Sequence, residues 1–173
     1  MSTLKVGTIQ DHANGNNALV IDSAGRILTP ARPAFRAEKR ASNQTISDST
    51  NTVITFEHEA FDIGSNYNTS NSRFTAPIAG IYHFNCLVRA VANSGTMELC
   101  SIYLYKNGSL YSDMFQFHVA GNQMQNSHIG ASITVQLAAT DYVNIRAQIS
   151  GDSPYIGSHS SGQRTWFSGF LIG

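Results

Sequence analysis

The sequence has little charge and no long apolar run, and each shortage excludes a class of protein. Only 13% of its 173 residues are charged, and 11 basic side chains balance 11 acidic ones. Proteins that bind nucleic acid or anionic membranes carry an excess of positive charge, so we expect neither partner. No apolar stretch approaches the ~20 residues that span a membrane, so we expect no membrane insertion.

Cysteine is also scarce. The two cysteines, Cys86 and Cys100, are too few for a disulfide framework and lie far from any metal-ligand spacing. We expect both to be free thiols that fill small apolar spaces in the core.

The amino-terminal stretch MSTLKVGTIQ has no basic segment followed by an apolar one, so it lacks the pattern of a secretory signal. This favours synthesis in a cytoplasm.

Signatures of catalysis and of metal binding are lacking as well. The six histidines show no spacing that would place two of them on one metal ion. The segment GSHSSG, 157–162, lacks the G-x-S-x-G spacing of a serine nucleophile. Eleven scattered acidic residues offer no paired carboxylates for a glycan-cleaving enzyme. We therefore expect a protein that is not an enzyme and has no cofactor.

The sequence is instead dominated by alternation of apolar and polar residues with period two, which is typical of an all-β sandwich or barrel. Turn-forming residues separate the alternating segments. The predicted strands are 33–39, 52–56, 72–77, 80–91, 96–106, 109–119, 128–138, 141–150 and 164–172. The pair Asn107-Gly108 joins two such runs and predicts a type I′ hairpin.

The segment SRFTAPIAGIYHF, 72–84, places Pro77 and Gly80 between two alternating runs. Pro77 cannot donate to a sheet ladder and therefore ends one strand, whereas Gly80 is expected to permit a tight return into the next. In that next strand Tyr82 and Phe84 share one face, which we predict to be the core face.

A longer spaced pattern runs through this region, and its members in chain order are Phe56, Asp62, Tyr67, Phe74, Gly80, Tyr82 and Phe84. The pattern resembles the signature of the globular head of the complement first-component recognition protein, a relative of the tumour necrosis factor superfamily. It departs from that family at Cys86, where Phe or Tyr is usual, so the packing there is expected to differ. The segments RPAFRA, YLYKNG, ITVQLAATDYVNI and FSGFLI are similar to other strands of the family.

The resemblance covers residues 31–173 and implies a jelly roll of about ten antiparallel strands, assembled as a tight homotrimer through apolar sheet faces. It assigns the spaced pattern, with Gly169 and Phe170, to the core and trimer contacts. The residues that we predict to be core are Phe56, Tyr67, Phe74, Tyr82, Phe84 and Phe170. Asp62 and Asp141 are interpreted as turn carboxylates that accept backbone hydrogen bonds, with calcium binding as the alternative.

Five aromatic residues outside the pattern need an interpretation. Tyr103, Tyr105, Phe115 and Phe117 alternate along neighbouring strands and are interpreted as core or trimer contacts rather than as a surface that stacks against sugars. Trp166 precedes the closing strand and is predicted to be buried at the sheet margin, with an exposed receptor contact as the alternative.

The first thirty residues differ from the rest. Two short alternating segments, 4–10 and 18–28, flank the Asn- and Gly-rich stretch DHANGNN, and Pro30 and Pro33 then mark a boundary. Strands this short need a partner surface. The apolar residues expected to contact it are Leu4, Val6, Ile9, Leu19, Ile21 and Ile27. The segments resemble the amino termini of small structural proteins of marine bacteriophages (cyanophage type), which attach a fibre or decoration head to the virion.

Together the two resemblances imply a virion protein that is assembled in the host cytoplasm and exposed on the particle surface. Its homotrimeric head would form a tail fibre or fibre tip and touch a host-surface glycan or protein. Residues 1–30 would contact other virion proteins. The alternatives are a capsid decoration protein and a secreted ligand-binding module of the same head family.

Overall fold

The computed structural model describes residues 4–93, 97–119 and 124–173, and every helix or strand within these ranges is a β-strand. None of the described residues forms a helix with the length and apolar character that crossing a membrane requires. The strands are β1 (Thr8–Gln10), β2 (Asn17–Ile21), β3 (Ile27–Leu28), β4 (Ala34–Glu38), β5 (Gln44–Thr45), β6 (Thr52–Val53), β7 (His58–Ile63), β8 (Tyr67–Asn68), β9 (Arg73–Thr75), β10 (Gly80–Ala92), β11 (Met97–Lys106), β12 (Ser109–His118), β13 (Asn126–Leu137), β14 (Tyr142–Gly151), β15 (Pro154–Ile156) and β16 (Trp166–Leu171).

These strands form three antiparallel sheets. A small amino-terminal sheet contains β1, β2 and β3. A seven-stranded sheet has the order β5-β15-β10-β16-β4-β7, and β13 pairs with the opposite edge of β10. A six-stranded sheet has the order β12-β11-β14-β9-β8, and β6 also pairs with β14. The two larger sheets pack face to face around one apolar core, which is the expected jelly-roll sandwich.

The core contains a cluster of aromatic rings. Phe35 stacks on Tyr67 and Phe74 at centroid distances of 4.9 and 4.8 Å and meets Phe167 edge-on at 5.0 Å. Offset and edge-on contacts of this kind are the geometries that aromatic quadrupoles favour. The pattern residues that are buried in this cluster are Phe56, Tyr67, Phe74, Tyr82 and Phe84.

The prediction that Phe170 belongs to the core is wrong, because its side chain is 44% exposed. Alternation along β16 turns Phe167, Gly169 and Leu171 inward, so Phe170 must point outward. At Gly169 an added Cβ would meet the ring of Phe84 and lie 3.0 Å from the ring of Phe35. Ring packing therefore requires glycine at this position.

The hairpin predicted at Asn107-Gly108 is present between β11 and β12, and both residues have positive φ angles, 51° and 83°. Gly80 also begins β10 after the turn, but its φ angle is not positive, so the turn does not depend on the left-handed conformation that glycine permits. A Cβ on Gly80 would instead lie 2.6 Å from Leu171 Cδ1 and 3.1 Å from the Gly173 carbonyl oxygen. The glycine is needed because the carboxyl-terminal strand passes close to it.

The amino-terminal segments form three strands rather than two. The second segment turns back on itself because Asp22 accepts hydrogen bonds from the backbone N–H groups of Ala24 and Arg26, both at 2.9 Å. Gly25 completes the turn with a φ angle of 78°. The first segment contributes only Thr8–Gln10, so the resulting sheet has just three short strands.

All nine predicted head strands are present, although 52–56 shrinks to two residues and Thr96 lies outside the described residues. The sequence reading missed four strands: β5, β7, β8 and β15. The two cysteines are free and buried, as predicted. Burial raises the pKa of each thiol to about 12.

Candidate functional site

Two groups of large apolar side chains lie exposed on the outside of the sandwich. The first group covers the outward face of the seven-stranded sheet, with side chains that are 42–48% exposed. We call it the sheet-face patch, and its members are Phe61, Ile63, Ile81, Phe170 and Ile172. Exposed apolar clusters mark interaction surfaces in soluble proteins.

The strand register makes the sheet-face patch continuous. Phe170 on β16 pairs with Ala34 on β4, and Ala34 pairs with Ile63 on β7. On the other side of β16, the Ile172 N–H donates to the Ile81 carbonyl at 2.7 Å, which brings β10 into the patch. The patch thus spans four neighbouring strands, and its members come from β7, β10 and the carboxyl-terminal end of β16, with Ala34 of β4 between them.

Beyond Phe170 the same face becomes polar. The His83 ring lies 5.5 Å from the Phe170 ring. Its Nε2 lies 3.0 Å from Asn85 Oδ1, and its Nδ1 lies 3.3 Å from Thr134 Oγ1. The seven-stranded sheet therefore presents an apolar half beside β7 and a hydrogen-bonding half beside β13.

A charged cluster borders the apolar half. The buried Glu38 carboxylate accepts hydrogen bonds from Arg36 Nε at 2.7 Å and from Arg40 Nε at 2.8 Å. Burial acts to raise the pKa of Glu38, but these hydrogen bonds outweigh it and hold the pKa below its ordinary value. Arg36 also stacks over Trp166 at 4.5 Å. The prediction that Trp166 is buried at the sheet margin is wrong, because Trp166 is half-buried and begins β16, which lies between β10 and β4.

The second exposed group lies on β12, an edge strand of the six-stranded sheet. We call it the strand-edge patch, and it consists of Leu110, Tyr111 and Phe115, which are 39–52% exposed. Of the two phenylalanines interpreted as core or trimer contacts, Phe115 lies outside the core, whereas Phe117 packs against it. An edge strand that carries exposed apolar side chains readily pairs with another chain.

The two carboxylates interpreted as turn residues do accept local backbone hydrogen bonds. Asp62 accepts one from the Tyr67 N–H and Asp141 one from the Ala138 N–H, both at 2.8 Å. The hydrogen bond from Lys106 Nζ, together with that from Asn107, lowers the pKa of Asp141 to about 2. In the part of the chain that the structure describes, no three His, Cys, Asp or Glu side chains form a group that could hold a metal ion.

Residues 34–172 match the family model of the C1q domain. The chain belongs to the C1q domain family. This assignment confirms the resemblance that the spaced pattern indicated, and the all-β jelly roll is the fold of the solved structures that the C1q domain matches.

Those structures include the globular domain of zebrafish complement 1qA, with a TM-score of 0.57 at 17% identity, covering 82% of this chain and 98% of that one. Another is Eiger TNF from S. frugiperda, with a TM-score of 0.62 at 10% identity, covering 83% of this chain and 94% of that one. At these identities the likeness establishes the fold alone.

Curated relatives of this C1q domain come from two different settings. Complement C1q tumor necrosis factor-related protein 5 of Rattus norvegicus is 26% identical over 151 residues, which cover 83% of this chain and 54% of the relative. Phage-like element PBSX protein XkdV of Bacillus subtilis (strain 168) is 30% identical over 131 residues, which cover 71% of this chain and 18% of the relative. The chain thus spans about half of the first relative and under a fifth of the second.

The sequence reading did not find the exposed members of either patch other than Phe170 and Phe115. Alternation along β7 could have paired Phe61 with Ile63, but Glu59 and Asp62 interrupt the apolar pattern, so no strand was predicted there. Ile81 was on the face opposite to the core residues Tyr82 and Phe84, so its outward direction followed from the pattern. The face is apolar because β16 lies beside β10 and β7 lies beside β4. Only the strand order shows that these strands are neighbours.

Proposed function

We propose that the chain is a non-enzymatic structural protein of a bacteriophage particle. In this proposal the C1q domain assembles as a homotrimer that touches the host surface, and residues 1–30 join it to the particle. The observation that carries the phage assignment is the 30% identity with a protein of a phage-like element over 71% of this chain. We interpret a trimeric binding head on a phage particle as a tail fibre or fibre tip.

Trimer formation is supported by the presence of two different apolar patches on one chain. A contact between unlike patches is heterologous, and repeated heterologous contacts generate a closed ring when the rotation closes. The sheet-face patch of one copy and the strand-edge patch of the next are candidates for such a contact. We expect the resulting interfaces to bury roughly 2,000–5,000 Å², as in obligate assemblies.

The role proposed for residues 1–30 is supported by how the amino-terminal sheet exposes its apolar side chains. Leu4 and Ile27 are the most exposed of the six residues expected to contact a partner, and only Leu19 is half-buried. Within the described ranges, the hydrogen bonds of residues 4–28 all join residues of that same segment. Residues 1–3 lie outside the described residues.

Antibody labelling of intact particles tests this proposal. Label at a tail or fibre tip is the expected result, and label over the shell would replace it with a capsid decoration role. Particles that carry none of the chain would contradict both roles. That outcome would favour a secreted ligand-binding module, a candidate supported by the 26% identity with the rat C1q tumor necrosis factor-related protein.

A further inference from the structure

The outward face of the six-stranded sheet carries two arginines that are each held on a tyrosine ring. The Arg73 guanidinium lies 4.2 Å from the centroid of Tyr142, and the Arg146 guanidinium lies 4.0 Å from that of Tyr105. Stacking restrains a guanidinium group and leaves its N–H edges free to bind. Tyr105, which we interpreted as a core or trimer contact, is thus half-buried on an outward face.

Neither arginine is neutralised by the protein. Among residues 4–93, 97–119 and 124–173, no carboxylate lies within ion-pair distance of Arg73 or Arg146. The register pairs Arg146 with Tyr103 and Tyr103 with Asp113, so the exposed Asp113 on β12 lies two strands away from Arg146. Two positive charges on one face of a chain with no net charge leave this surface locally basic.

Asn144 lies on β14, beside Arg73 of the neighbouring strand β9 and on the same face as Arg146. The register pairs Val143 with Phe74, so its continuation places Arg73 beside Asn144. Arg146 follows two residues later, about 7 Å along the strand. Asn144 is only 1% exposed, and its Oδ1 has no hydrogen-bond partner among the described residues.

The unpaired polar atoms concentrate at this end of the face. Asn51 donates from Nδ2 to the Tyr105 hydroxyl at 3.1 Å, while its Oδ1 is buried without a partner. Arg73 Nε and Arg146 Nε are likewise buried and unpaired. By contrast, Gln148 at the other end of the face accepts from Tyr103 at 3.0 Å and donates to the Ser49 carbonyl at 2.9 Å.

We propose that Arg73, Arg146, Asn51 and Asn144 form a binding site for an acidic glycan, a sugar chain that carries carboxylates. A carboxylate matches the planar guanidinium fork. The two unpaired amide oxygens are buried in the free protein, so a sugar hydroxyl donates to them only after the arginine side chains shift on binding. An ionised phosphate offers acceptors only and would leave both amide oxygens unpaired. The chemistry of the four side chains therefore favours a carboxylated sugar over a phosphate polymer.

The site takes its biological meaning from the proposed adhesive function, but the two proposals fail separately. Binding of a carboxylated glycan by the purified protein tests the site wherever the chain is located. Particle labelling tests the location whatever the chain binds. If the protein binds the glycan but the particles carry no label, the result would support the binding site and contradict the proposed function.

The experiment titrates the full-length protein with a polygalacturonate oligomer at low salt, using neutral dextran and polyphosphate as comparison polymers. We expect binding of the polyuronate alone, and an affinity loss of about tenfold or more in Arg73→Gln and in Arg146→Gln. Arg32→Gln removes the same charge from an exposed position outside the site and should leave affinity unchanged. Asp113→Asn removes the nearby negative charge and should raise affinity about twofold.

Hydrogen exchange locates the bound oligomer on the wild-type protein, so it tests the site even if a variant fails to fold. Bound oligomer should protect the backbone of β14 around Asn144 and leave β16 unchanged. Several results would overturn the proposal: absent binding, polyphosphate binding that is equal or tighter, the same loss in Arg32→Gln, or protection confined to other strands.

Discussion

Phe84 is one of the fully buried rings of the aromatic core cluster. Its ring lies 5.7 Å from those of Phe74 and Phe167 and stacks on Tyr82 at 6.2 Å. Phe84→Ala removes a fully buried ring and leaves a cavity, so it should lower the free energy of unfolding by about 3–5 kcal/mol. Denaturation midpoints measure the change. A loss under about 1 kcal/mol would place Phe84 outside the core.

The ring of Phe84 also leaves no room for a side chain at Gly169. Gly169→Ala places a methyl group against Phe84 and should destabilise the protein by about 1–3 kcal/mol through overpacking. In a Phe84→Leu background the ring edge is gone, so the added loss from Gly169→Ala should be smaller. A double-mutant cycle measures this coupling, expected to be at least about 0.5 kcal/mol. Strictly additive losses would show that Phe84 is not what excludes a side chain there.

Asp141 is expected to make the stability of the folded protein depend on pH in the acidic range. Its pKa of about 2 in the folded protein is below the ordinary 3.8, so its contribution is complete above about pH 4 and is lost as the pH falls toward 2. Asp141→Asn keeps the shape but loses the charge that pairs with Lys106. Thermal midpoints between pH 5 and pH 2 should therefore fall less in the variant than in the wild type. Parallel curves would show that Asp141 does not contribute to the acid response.

At the scale of elements, the amino-terminal sheet and the head differ in how they are stabilised. The head encloses a core of its own, whereas β1, β2 and β3 expose most of their apolar side chains. A chain that starts at Ala31 should keep the oligomeric state and a thermal midpoint within a few degrees of the full chain, yet fail to join the particle. Calorimetry and particle incorporation check the two halves of this prediction. Normal incorporation, or failure to fold, would refute the division at residue 30.

Long strands could be predicted from the sequence because each carries its own alternation. β10 and β14 begin and end within a residue or two of the predicted limits. β5 and β8 are two residues long, too short to show a period, and they exist only because a partner strand lies alongside. β7 was missed because its charged residues conceal the alternation of Phe61 and Ile63.

At the scale of the whole molecule, the spaced pattern identified the fold, and the binding surfaces depend on topology. Inward residues such as Phe84 follow from alternation within one strand, so the core could be predicted. The sheet-face patch joins Ile63, Ile81 and Phe170 from three different strands. The unpaired set around Asn144 depends on β9 and β6 both lying against β14. Pairing between distant segments cannot be read from any single segment.

In the assembly that we propose, two unlike apolar patches join C1q domains into a trimer. Phe170→Lys places a charge in the sheet-face patch and should reduce the assembly to monomers, since a buried unpaired charge opposes association. Ile78→Lys makes the same kind of change at an exposed residue outside both patches and should leave the assembly intact.

Light scattering of the full-length protein at low micromolar concentration measures the oligomeric state. We expect a mass three times that of the 18.8 kDa chain, unchanged on further dilution within that range. A stable, folded monomer under these conditions would contradict it.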